Sequence, residues 1–127
     1  MDGYKPFTFG NIGPSVSITK NGVTFNKAAV DKLGSPQYAQ LLINENEKKL
    51  AVKKTSASDP LAVPFSASIK KGSSSVRWNS KELLRAISSM TRWDLQPKSC
   101  ASYKIFATYD RAEGALIIDL TTAIENV

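Results

Sequence analysis

Histidine is absent from this chain of 127 residues, and cysteine occurs once, as Cys100. Without histidine there is no imidazole for a zinc site or for acid–base chemistry near neutral pH. A single cysteine cannot close an internal disulfide, so Cys100 reads as a small buried or loop residue. Long apolar runs are missing too. No stretch approaches the roughly 18 apolar residues of a membrane helix. The opening MDGYKPFTFG lacks the basic and apolar regions of a signal peptide. A cytoplasmic protein with no membrane partner is expected. Glycine-rich phosphate loops are absent, since Lys71-Gly72-Ser73-Ser74-Ser75 lacks Walker A spacing. The carboxylates Asp31, Asp59, Asp94, Asp110, Glu113 and Asp119 are scattered, with no close pair in an apolar context. The chain therefore reads as a non-enzyme with no cofactor and no metal.

What the chain has is basic charge. Its net charge is +6, with 17 Lys and Arg against 11 Asp and Glu. The excess lies in residues 1–109, with 16 basic and 7 acidic side chains; residues 110–127 hold Arg111 against Asp110, Glu113, Asp119 and Glu125. Such an excess favours an acidic partner, most commonly nucleic acid. Apolar residues make up 42% and charged residues 22% of the chain. These are ordinary proportions for a globular domain, and the length suits a single domain spanning 1–127.

Hydrophobic periodicity gives the elements. Residues 1–14, rich in glycine and proline, read as an arm that packs Phe7 and Phe9 on the domain. Val16 and Ile18 alternate with Ser17 and Thr19 as in a half-buried strand. Asn21-Gly22 signals a hairpin turn, and Val23 and Phe25 resume the alternation. Asn26 suits a helix N-cap for a two-turn helix over 27–33, which Gly34 ends. Tyr38–Ile43 and Lys49–Lys53 form a hairpin. Lys48-Lys49 and Lys53-Lys54 flank its return strand and read as edge-strand charges that block aggregation. Residues 55–64 are a connector.

The plan then recurs. SVSITKNGVTFNKAAVDKLG at 15–34 is echoed by SASIKKGSSSVRWNSKELLRAIS at 66–88. Val23 and Asn26 recur 53 residues on as Val76 and Asn79, and Glu82 gives a capping-box-like start to a longer helix over 80–91. Tyr103–Tyr109 and Ala115–Leu120 form a second hairpin. Tyr38 recurs 65 residues on as Tyr103, and Leu50 and Val52 recur 66 on as Leu116 and Ile118. The expected fold is α+β: two β-β-α-β-β repeats, 15–54 and 65–122, forming a small pseudo-two-fold barrel or sheet pair. Trp78 takes the place of Phe25 and reads as core; Trp93 reads as packing that could instead stack a base.

The unit strand, glycine turn, strand, short helix, Leu33-Gly34 stop and hairpin Tyr38–Lys53 resembles the swapped-hairpin motif of AbrB/MazE-type transcription regulators. The second unit matches through Gly72, Val76, Trp78 and Asn79. Lys27 and Ser80 stand where that family usually has proline, and Ser35-Pro36 where it has Gly-Asp. In the family two chains interleave into one barrel, so a tandem repeat resembles that dimer fused into one chain. The resemblance implies DNA binding by basic side chains of the strand–turn–strand region: here Lys20, Lys27, Lys70, Lys71, Arg77 and Lys81, as a twinned basic surface. The alternative is a protein-interaction module, antitoxin-like or a mobile-element accessory protein. A homodimer stays open.

Overall fold

The computed structural model describes residue 3, residues 13–65 and residues 75–126. Most of the expected arm, the Ser66–Lys70 strand and the Lys70-Lys71 pair lie outside the described residues. In chain order the elements are β1 (Ser15–Thr19), β2 (Gly22–Phe25), α1 (Lys27–Lys32), β3 (Tyr38–Asn44), β4 (Lys49–Thr55), β5 (Val63–Pro64), β6 (Val76–Trp78), α2 (Lys81–Thr91), β7 (Ser102–Phe106), β8 (Thr108–Asp110), β9 (Ala115–Asp119) and β10 (Ile124–Asn126). A short 3-10 turn, Leu120–Thr122, precedes the last strand. No helix among the described residues is long and apolar enough to cross a membrane.

The fold is α+β, with two antiparallel five-stranded sheets. One runs β10-β7-β1-β2-β6, the other β5-β3-β4-β9-β8. Alternation sets the buried faces, because successive strand side chains point to opposite sides. Val16, Ile18, Val23, Phe25 and Ile105 of the first sheet join Ala39, Leu50, Val52, Leu116 and Ile118 of the second in one apolar cluster. The helices add Ala29 and Val30 from α1 and Leu83, Leu84 and Ile87 from α2.

Three pairings join the two halves of the sequence, the first being that of β1 with β7. β2 pairs with β6, placing Thr24 opposite Arg77, 53 residues away. β4 pairs with β9, placing Ala51 opposite Ile117, 66 residues away. The hairpin loops are built alike. Asn44 and Asp110 each accept, through a side-chain oxygen, the backbone N–H three residues on. Lys48 and Gly114 then adopt left-handed φ of 57° and 63°.

The structure shifts several expected boundaries. The residues between β1 and β2 are Lys20 and Asn21, and Gly22 pairs with Thr19, so the turn sits one residue early. The second helix is capped by Ser80, whose hydroxyl accepts the Leu83 N–H at 3.2 Å; Asn79 precedes it. The connector contains β5, which pairs with the start of β3. The expected strand Tyr103–Tyr109 breaks at Ala107: β7 belongs to the first sheet and β8 to the second. β4 lies between β3 and β9, so its lysines do not guard an edge.

Candidate functional site

The first helix shows how local chemistry positions the basic groups. The Asn26 side-chain oxygen accepts from the N–H of Ala29 at 2.9 Å and of Ser15 at 3.0 Å; its amide donates to the Gly13 carbonyl at 3.1 Å. One side chain thus caps α1 and ties it to the start of β1. Gly34 (φ 83°) ends the helix, with the N–H of Gly34 bonded to the Asp31 carbonyl and that of Ser35 to the Val30 carbonyl. This is the Schellman arrangement. Lys27 is the first residue of α1 and exposed.

In the other half a cleft of about 850 Å³ runs beside α2. Its helix wall is Lys81, Leu84, Arg85, Ser88 and Ser89, spaced as one face of a 3.6-residue helix. Arg77 and Asn79 enter from the end of β6, where alternation keeps both exposed while Trp78 between them turns into the core. Lys20 and Asn21 come from the β1–β2 turn, and Leu95, Gln96 and Pro97 from the loop after α2. Two contacts hold these walls together. The Lys20 ammonium donates to the Pro97 carbonyl at 2.9 Å, and the Arg77 Nε donates to the Thr24 hydroxyl at 3.2 Å.

Among the described residues four cationic side chains line this cleft, and none of those lining it is acidic. Cations held together at one site raise the local concentration of anions. Three of the six residues expected from sequence, Lys20, Arg77 and Lys81, share the cleft. Lys27 does not line it, and Lys70 and Lys71 lie outside the described residues. Arg85 was missed, although its signal was present: it stands four residues after Lys81 on a helix that buries Leu84 and Ile87. The Leu95–Pro97 segment carried no such periodic signal.

The scattered carboxylates have local tasks. Asp59 accepts from the Leu61 N–H and the Thr55 hydroxyl, which hold its carboxyl below its ordinary value of 3.8. The Thr121 hydroxyl, with its backbone N–H and the Lys49 charge, likewise lowers Asp119 against an opposing effect of burial. Asp94 accepts from the Gln96 N–H. Among the described residues no cluster of three or more His, Cys, Asp or Glu could hold a metal ion. Cys100 is exposed in the loop before β7.

A smaller cavity of about 310 Å³ includes Trp93, Tyr103, Lys48 and Glu125 in its lining. Trp93 and Tyr103 stack in parallel, centroids 3.9 Å apart. Burial raises the Tyr103 phenol, and the neighbouring Glu125 and Asp94 carboxylates raise it further. Trp78 packs edge-on against Phe25 and Phe65, and its indole N–H reaches the Pro64 carbonyl at 3.0 Å. No family model, curated protein or solved structure matches the chain.

Proposed function

We propose that the protein binds DNA, and that the cleft beside α2 seats its phosphate backbone. The observation that carries this reading is the convergence of Lys20, Arg77, Lys81 and Arg85 on one concave surface with no carboxylate among the described residues that line it. Phosphate contacts of this kind set affinity and position while carrying no sequence information themselves. The wider fold reading belongs to the same proposal: a duplicated β-β-α-β-β unit with a local two-fold between its halves, arranged as in the swapped-hairpin regulators. Its support is the pairing of Thr24 with Arg77 and of Ala51 with Ile117, which are the separations at which the sequence echoes itself. Lys27 and Lys81 are each the first residue of a helix, so each half carries a basic group at a helix start.

The test is fluorescence anisotropy of a labelled random duplex titrated at several salt concentrations. Four phosphate contacts give a slope of log affinity against log salt of roughly −3.6, so binding falls roughly a hundredfold between 50 and 200 mM. Replacing Lys81 and Arg85 together with Ala should lower affinity and bring the slope near roughly −1.8. Binding with an unchanged slope would move the surface elsewhere. No binding at low salt by the folded protein would end the DNA reading.

A further inference from the structure

We infer that the cleft also reads base sequence, with Asn79, Gln96 and Asn21 preferring adenine-containing duplex steps; this rests on the DNA reading above. Three carboxamides line the same cleft as the four cations. Two asparagines elsewhere are occupied: Asn26 makes three hydrogen bonds at the start of α1, and Asn44 both accepts from and donates to Glu47. The side chains of Asn21, Asn79 and Gln96 make no hydrogen bond to any described residue. Only their backbones are engaged: the Asn21 N–H donates to the Thr19 hydroxyl and the Gln96 N–H to the Asp94 carboxylate. These two bonds fix the turn and the loop while leaving the amide heads available.

Placement adds to availability. Asn79 sits between Arg77 and Lys81 in sequence, and all three line the cleft. Asn21 follows Lys20, whose ammonium is bonded to the Pro97 carbonyl beside Gln96. Each carboxamide therefore stands next to a cation that can anchor the backbone. A carboxamide offers one donor group and one acceptor, the pattern complementary to adenine N7 and N6 in the major groove; guanine offers two acceptors there and suits arginine. None of the described residues lining the cleft is aromatic. Recognition of single strands relies on stacking platforms, so this lining favours a duplex.

The experiment is selection from a random 20-base-pair duplex library by the full chain at fixed salt. Anisotropy then compares the enriched duplex with a scrambled one, and single-stranded DNA and RNA serve as competitors. The enriched site should contain adenine. Asn79→Ala and Gln96→Ala should each cut the preference for it roughly tenfold, the loss of one bidentate base contact, with the salt slope retained. Lys81→Ala should weaken both duplexes alike and lower the slope. Equal binding to all duplexes, or an enriched site whose preference survives both carboxamide variants, overturns the inference and leaves the DNA reading standing. Tighter binding of single strands or RNA also overturns it. Failure to bind any duplex at low salt defeats both together. Asn79 and Gln96 are exposed, and a circular dichroism melt of each variant confirms that lost preference is not lost fold.

Discussion

Gly22 is the residue on which the cleft's two strands meet. Its φ is 136°, and a Cβ placed there would stand 2.5 Å from the Trp78 carbonyl oxygen. That oxygen belongs to β6 and cannot swing away as a side-chain tip could, because Trp78 is paired with Val23. Gly22→Ala should therefore destabilise the protein by about 2–4 kcal/mol through both strain and overlap. Urea unfolding would measure this; a loss under 1 kcal/mol would mean that β2 and β6 do not approach so closely. Asn26 fails differently. Asn26→Ala removes a cap and leaves the Ser15 and Ala29 N–H groups without their acceptor, costing about 1–2 kcal/mol. Both residues stood out in the sequence by type. What periodicity could not give was their second partner: Trp78 lies 56 positions from Gly22, and Ser15 lies 11 before Asn26, beyond any local pattern.

The elements were legible where one face is buried. Val16 and Ile18, then Val23 and Phe25, name their strands because alternation follows the pleat, and Leu83, Leu84 and Ile87 name α2. The ends of elements were harder. Asn79 and Ser80 are both capable caps, and the buried register of α2 selects the second. Ala107 carries no turn signal, yet the chain changes sheets there, held by its N–H bond to the Pro14 carbonyl. Arg92 closes α2 in the left-handed region, φ 65°, without being glycine. Arg92→Gly should raise stability by about 0.5–1 kcal/mol by removing the Cβ penalty, seen as a higher urea midpoint with an unchanged slope. A lowered midpoint would assign the Arg92 side chain a stabilising contact. Two carboxylates, Asp59 in a loop and Asp119 at the end of β9, give the elements a pH limit. Asp59 and Asp119 titrate below their unfolded value of 3.8, so their contribution is complete above that value and is lost as pH falls through the depressed native values. The thermal midpoint should drop below about pH 4, and Asp59→Asn with Asp119→Asn should make that drop shallower.

At the scale of the molecule, the two halves are interleaved. The β1–β2 hairpin of the first half lies between β7 and β6 of the second, and β4 of the first half pairs with β9 of the second. Splitting the chain in the connector would leave β1, β2 and β4 each with an unpaired edge, along with β6, β7 and β9. It would also divide the apolar cluster that buries Phe25 against Phe65 and Trp78. Open apolar edges and half a core do not sustain a domain of this size. The cleft divides as well, since Lys20 and Asn21 belong to the first half and Arg77, Asn79, Lys81 and Arg85 to the second. Fragments 1–57 and 58–127 should therefore each lack a cooperative thermal transition. Mixed at equal concentration they should recover the near-ultraviolet aromatic signal, a single melt and salt-dependent DNA binding together. A fragment that melts cooperatively alone would contradict the interleaving. Recovery of fold without binding would place the cleft intact on a molecule whose DNA surface lies elsewhere, so this one reconstitution separates the architecture from the function assigned to it.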